Sequence, residues 1–364
     1  MEDNFAFIIH PINAKRDVSR KYPLLGKALP VWLIDFLSLF FPPVFISEIN
    51  GIQSKATGNQ IYGWFVACPL TPRRMISLPP KVVYRKIIQT GQLAEKLGAN
   101  LLGLGAFTSV VGDGGITIAK HLNIPVTTGD SYTVAIAIQA IEEAANIMNK
   151  PIESSTVAIV GAAGAIGTVC AEMMAPKAKS LLLIGRDINS LDHVKQLTQN
   201  EGVKELKTSD NIQDLLNADL IITVTSAVDT LVEPEYLKPG AVICDVARPR
   251  DVSRRVVEER QDVLVIEGGM VEVPGNVDFG FDFGFPPQMA YACMAETMAL
   301  ALEKRYEHFT LGKNVQLSQV VTIDRIATKH GFQLGGFRSF EKAITSLEIA
   351  QIKSQLASNR LHKL

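Results

Sequence analysis

Two stretches of this 364-residue chain hold residues with chemistry of their own. The first is Gln288–Met298, QMAYACMAETM, with Cys293 at its centre. A thiolate attacks acyl thioesters and holds the acyl group as a new thioester while a hydride is delivered. A cysteine in an alanine- and methionine-rich helix also serves as a small apolar packing residue, and residue type alone leaves both readings open. The second stretch is Thr156–Gly167, TVAIVGAAGAIG. An apolar run, Val157–Val160, ends at Gly161, and glycines recur at Gly164 and Gly167 before a helical pattern begins. The first glycine permits a tight turn. Ala163, Gly164, Ala165 and Ile166 let backbone approach a pyrophosphate at a helix N-terminus, and Gly167 lets helix and strand pack closely. The spacing is GxxGxxG rather than GxGxxG, so the strand before it and the helix after it carry much of the assignment.

Roughly 20–25 residues beyond the glycine loop, where a Rossmann fold reads the adenosine ribose, the next strand ends in Ile184-Gly185-Arg186-Asp187. Arg186 suits the 2′-phosphate of NADP, whereas Asp187 suits a ribose hydroxyl or the cap of the next helix; the order favours NADPH. Polar loops also follow two strand candidates of the N-terminal half. These are Gly105–Ser109, with Thr108 and Ser109, and Thr128–Ser131, with Gly129 and Asp130. Loops at strand ends are where an open α/β sheet binds ligands. Ser131 is expected to cap the helix that follows.

These residues need a frame. Strands are expected at Val157–Val160, Ser180–Ile184, Lys204–Lys207, Leu220–Val224, Val242–Asp245 and Val263–Ile266, alternating with helical patterns. That alternation implies a Rossmann-type doubly wound parallel sheet, an α/β fold. The segment before Lys150-Pro151 reads as a second α/β unit: a strand at Phe5–His10, a β-meander over Val44–Cys68 with turns at Asn50-Gly51 and Gly58-Asn59, and a helix from Pro79-Pro80 to Leu97. A long helix is expected over Gln288–Glu307 and two more within Ser318–Ser358. The division follows: a catalytic and substrate domain at 1–150, a nucleotide domain at 151–285, and C-terminal helices at 286–364 that bring Cys293 back to the first domain.

Lys+Arg at 36 against Asp+Glu at 37 leaves no basic excess, which argues against a nucleic-acid binder. Local clusters remain as docking candidates for an acidic partner: Arg73, Arg74, Lys81 and Arg85, or Arg248, Arg250, Arg254 and Arg255. The four cysteines lack metal-ligand spacing, so no metal is expected, and they read as free thiols of a reducing, cytoplasmic setting. The terminal His362-Lys363-Leu364 only faintly resembles a peroxisomal signal. Leu29–Ile46 is the most hydrophobic stretch. Asp35 and Pro42-Pro43 keep it short of a membrane span, leaving core or subunit contact, acyl lining and peripheral membrane contact as its readings.

The chain resembles the cyanobacterial long-chain acyl–acyl-carrier-protein reductases. The blocks that carry the resemblance are LGAFTS (Leu104–Ser109), TTGDSYT (Thr127–Thr133), VGAAGAIG (Val160–Gly167), EGGMVE (Glu267–Glu272), QMAYACMAETM and KHGFQ (Lys329–Gln333), in the family's order and over most of the chain. The resemblance implies NADPH-dependent reduction of a fatty acyl thioester, on acyl carrier protein or CoA, to an aldehyde, with Cys293 as the acylated nucleophile. In that scheme Thr108, Ser109 or the Thr128–Ser131 loop supplies oxyanion donors, and Ser226, Gly268 and Gly269 lie near the nicotinamide. The family's TTGNTHT block has Asp130 and Tyr132 here in place of Asn and His, and its Trp-His pair is replaced by Arg305 and Tyr306. The alternatives are a shikimate-type or amino-acid dehydrogenase acting on a small carbonyl without a covalent intermediate, and a noncatalytic NADP-binding protein. No Asn-Val-Thr-x-Pro-x-Lys motif supplies the shikimate-type lysine.

Overall fold

The computed structural model describes residues 3–199 and 201–361, with side chains described as far as Ser358; the terminal tripeptide lies outside the described residues. The chain forms two compact units, 1–132 with 271–333 and 133–270 with 334–364. These differ from the division at 150 and 285 in three places, the first being that 271–285, with the strand Gly275–Asp278, belong to the first unit. The helix Asp130–Ile147 runs into the second unit, where the Cys244 thiol approaches the Ala137 carbonyl at 3.9 Å. The last helix, Ser346–Leu361, also belongs there, with Leu356 lying over Gly240.

The first unit is built on a mixed six-stranded sheet. Its strands are β1 (Asn4–Ile9), β2 (Val44–Gln53), β3 (Gln60–Ala67), β4 (Leu102–Gly103), β5 (Val126–Thr127) and a last strand, Gly275–Asp278. The order is Gly275–Asp278, β2, β3, β1, β4, β5. β1 is central and buried from Asn4 to Ile8, as expected for a strand covered on both faces. The expected meander is a single hairpin. Asn50-Gly51 is a bulge inside β2 rather than a turn: Gly51 has φ +79°, and a side chain there would lie 2.1 Å from the Asn276 carbonyl oxygen. Between β1 and β2 the chain forms three short helices, α1 (Ala14–Lys21), α2 (Pro23–Ala28) and α3 (Val31–Ser38).

The second unit is a Rossmann-type parallel sheet. Its strands are β6 (Thr156–Val160), β7 (Ser180–Ile184), β8 (Glu205–Ser209), β9 (Leu220–Thr223), β10 (Val242–Asp245) and β11 (Leu264–Glu267). They run in the order β11-β10-β9-β6-β7-β8 with every pairing parallel. β7, β9, β10 and β11 are buried at every position, which explains their uninterrupted apolar runs. β8 alternates in exposure, as an edge strand should. Helices Ala165–Met174 and Ile188–Thr198 follow β6 and β7. Beyond β8 the expected helices shrink to 3₁₀ turns at Ile212–Asn217 and Pro234–Tyr236 and one short helix, Arg254–Glu259.

Candidate functional site

In the second unit the strand order reverses between β6 and β9, the topological switch point where open α/β sheets bind ligands. The glycine loop lies there. Gly161 has φ +85°, and a Cβ on it would come 3.1 Å from the Val224 carbonyl oxygen and the Thr225 methyl. A Cβ on Gly167 would lie 2.2 Å from the Gly161 carbonyl oxygen, so close helix–strand packing requires a glycine. Ala163 and Gly164 are exposed, with Ala165 and Ile166 half-buried at the start of the helix Ala165–Met174. The first N–H groups of that helix lack intrahelical partners, which is the donor set a pyrophosphate requires.

Of the two residues expected to discriminate between cofactors, Asp187 is committed locally. It caps the helix Ile188–Thr198, accepting from Asn189 N–H at 3.1 Å and the Ser190 hydroxyl at 2.5 Å. Those bonds hold its carboxyl below the ordinary value. Arg186 is exposed beside it, and its guanidinium fits a 2′-phosphate. Ser226 is exposed after β9. Gly268 and Gly269 are buried after β11: a Cβ on Gly268 would strike Val246 at 2.5 Å, and Gly269 has φ +80°.

The loops between these strand ends are pinned by two acidic residues that motif reading passes over. Buried Asp245 accepts from the Thr223 hydroxyl at 3.0 Å and from Ala247 and Val252 N–H at 3.2 Å. Asp251 accepts from Thr225 N–H at 3.0 Å and from the Thr225 hydroxyl. Burial pushes the Asp251 carboxyl up to about 6, with the Asp245 charge adding to the effect.

In the first unit Cys293 stands on the first turn of the helix Ala292–Leu302. The longer helix expected over Gln288–Glu307 is trimmed at both ends: Met289–Tyr291 is a strand, and Gln288 and Lys304 have φ +65° and +58°. Cys293 is half-buried and lies against the loop after β5. A Cβ on Gly129, which has φ +81°, would sit 2.3 Å from Cys293 Cα and Cβ. Glu296, one turn along the helix, clamps this contact. Its fully buried carboxylate accepts from the Thr127 hydroxyl and from Tyr132 N–H at 2.8 Å, with Gly129 and Thr310 also bonding to it. A lone carboxylate in the otherwise apolar run MAETMALAL is a signal that could have marked Glu296.

Asp130 completes the cluster. Burial, and then the Glu296 charge, push its carboxyl up to about 7. Burial also pushes the Cys293 thiol up to about 12; Asp130 and Glu296 add to the rise, and the Met294 and Cys293 backbone N–H groups oppose it. The resting state is therefore a thiol beside an acidic group whose charging burial also disfavours.

The hydroxyls expected to face a substrate are engaged elsewhere. Thr108 is fully buried and donates to the Gly105 carbonyl at 2.8 Å, and Ser109 donates to the Ala106 carbonyl at 2.7 Å. Thr128 donates to the Thr310 carbonyl at 2.6 Å. Ser131 lies inside the first turn of its helix rather than at the cap, 2.7 Å from the Thr310 hydroxyl. His10, at the end of β1, is pushed down to about 4 by burial; as a neutral acceptor it receives Phe107 N–H at 3.2 Å and steadies the Leu104–Ser109 loop.

A Ser–His–Glu arrangement also occurs in this unit. Ser54 lies 2.8 Å from His330 Nδ1, and His330 Nε2 lies 2.7 Å from Glu303. Ser54 is buried and its oxygen accepts Ala56 and Thr57 N–H, so the arrangement ties a turn to a helix rather than presenting a nucleophile.

The basic clusters separate as well. Arg250 pairs with Glu267 at 2.6 Å, Arg248 lies 3.6 Å from the same carboxylate, Arg254 stacks on Phe340, and Arg255 is ringed by Glu233, Glu235 and Glu259. Each of the four is thus engaged within its own unit. Arg73, Lys81 and Arg85 are exposed.

Residues 142–267, the nucleotide-binding part, match the Shikimate / quinate 5-dehydrogenase family. Over 306 residues the chain is 32% identical to the aminotransferase PigE of Serratia sp., covering 82% of this chain and 35% of that protein's length. Over 308 residues it is 26% identical to the long-chain acyl-[acyl-carrier-protein] reductase of Synechococcus elongatus, covering 80% of this chain and 87% of that one. A glutamyl-tRNA reductase of Methanosphaera stadtmanae is 22% identical over 57% of this chain and 47% of its own. The match over 142–267 is to a dehydrogenase nucleotide-binding region, and the exposed Arg186 and the glycine loop fit NADPH as its cofactor.

Proposed function

We propose that this protein reduces a long-chain acyl thioester, carried on CoA or an acyl carrier protein, to the aldehyde through an acyl-Cys293 intermediate. The observation that carries the reading is the packing of Cys293, on a helix N-terminus, against Gly129 and beside a carboxylate raised to about 7. The similarity to the Synechococcus reductase supports the substrate class.

In the first step Asp130 accepts the thiol proton as Cys293 Sγ bonds to the acyl carbon. The carrier C–S bond breaks, and the carrier thiolate takes the proton from Asp130. The tetrahedral oxyanion needs fixed donors. With the Thr108, Ser109, Thr128 and Ser131 hydroxyls engaged, the N–H groups on the first turn of the Cys293 helix take that role. They bond to Sγ in the resting enzyme and oppose its raised pKa. NADPH supplies the hydride when bound. The reduced carbon then expels Cys293 Sγ as a thiolate, which takes a proton from solvent as the aldehyde leaves.

The test is aldehyde formation from a long-chain acyl-CoA with NADPH. Wild type should form aldehyde and Cys293→Ala should form none while still binding NADPH. NADPH oxidation with small keto acids and none with acyl thioesters would instead favour the dehydrogenase suggested by the match over 142–267.

A further inference from the structure

The reaction leaves α1–α3 unused. Most of the fold hides its large apolar side chains, but this segment presents them. Leu24 is 85% exposed, Phe40 70%, Trp32 69% and Phe36 51%, with Val31 and Phe41 also exposed. Trp32, Phe36 and Phe40 recur every four residues, and the last two rings pack tilted at 59° with centroids 5.4 Å apart. On the opposite face of α3, Ile34 and Ser38 are buried.

The platform is firmly mounted. Asp35 accepts the Thr71 hydroxyl at 2.8 Å, Lys86 donates to the Phe41 carbonyl at 2.7 Å, and Lys21 donates to the Ile46 carbonyl at 2.7 Å. Gly26 packs so tightly on α1 that a Cβ would lie 2.1 Å from the Ser19 hydroxyl. The aromatic side chains are therefore held outward on anchored α3 and the turn that follows it.

Charge identifies what covers them. Residues 14–38 carry Lys15, Arg16, Arg20, Lys21 and Lys27 against Asp17 and Asp35, a net +3 in a chain whose total is −1. An acyl-chain lining would be concave and shielded, whereas these are among the most exposed side chains of the unit. A two-fold contact between copies would press +3 on +3. No helix among the described residues is long and apolar enough to cross a membrane, so the segment can lie on a bilayer but not span it.

We infer that α1–α3 is an interfacial docking platform that seats the protein on an anionic lipid bilayer. Aromatic and leucine side chains enter the headgroup boundary while the lysines meet the phosphates. The inference is independent of the proposed reaction.

The test is flotation of the full-length protein with vesicles of phosphatidylcholine containing phosphatidylglycerol, with emission read from Trp32; the other tryptophan, Trp64, is buried. Wild type should float and its emission should shift to the blue. Trp32→Ser/Phe36→Ser/Phe40→Ser should stay at the bottom while still binding NADPH. Lys15→Glu/Lys27→Glu, which touches no buried group, should bind anionic vesicles about 30-fold or more weakly than wild type and be unchanged on pure phosphatidylcholine. Wild type that fails to float, or a triple variant that floats like wild type, would overturn the inference. A wild-type dimer that the triple variant turns into a monomer would assign the patch to a second copy instead.

Discussion

Replacing Asp130 by Asn should make this protein more stable and less active at once. The Asp130 carboxyl is raised from 3.8 to about 7, chiefly by burial and then by Glu296. A carboxyl raised on folding takes up a proton when the chain folds, so stability falls as pH rises between those two values and stays low above them. The span is about three pH units at about 1.36 kcal/mol each, so charging Asp130 costs about 2–4 kcal/mol above neutrality. Asn keeps the shape and removes the charge. Urea unfolding at pH 8 should therefore show Asp130→Asn more stable by that amount, and the gap should close as pH approaches 3.8.

The same carboxylate is the proposed proton acceptor for Cys293. Its loss should slow acylation by about 10²–10⁴-fold, the usual worth of a general base. In wild type the acylation rate should climb with pH through about 7 and level off; in the variant that rise should vanish. Equal stabilities at pH 8, or an unchanged acylation rate, would refute the reasoning.

Two further substitutions probe the separate units. Arg186→Ala deletes one charge-assisted contact to a 2′-phosphate, worth about 1.5–3 kcal/mol; the Kd for NADPH should rise about 10- to 150-fold while that for NADH barely moves, as measured by fluorescence titration. Gly129→Ala combines φ +81° with a methyl 2.3 Å from Cys293, so acylation should fail and thermal unfolding should reveal a loss of about 1–3 kcal/mol.

What could be read from the sequence was whatever local pattern alone determines. β7 and β9 are unbroken apolar runs because both their faces are covered, and the glycine loop is legible because each glycine answers a local contact. Features set by distant partners were not legible. Asn50-Gly51 reads as a turn until the strand Gly275–Asp278 pairs beside it and makes it a bulge. Arg248 and Arg250 read as a basic patch until Glu267, a strand away, and Glu341 pair with them. Thr128 and Ser131 read as substrate donors until Thr310, far along the chain, takes both hydroxyls. Glu296 lay in plain view, but its bonds to Thr127 and Tyr132 span more than 160 residues.

The central claim is that Cys293 carries the acyl group, and intact mass tests it most directly. Wild-type protein mixed with a long-chain acyl-CoA and no NADPH should gain the mass of one acyl group, and adding NADPH should discharge it as aldehyde. Cys293→Ala should gain nothing under the same conditions. Equal acylation of both proteins, or aldehyde formed by the variant at near wild-type rate, would contradict the account and return Cys293 to a packing role.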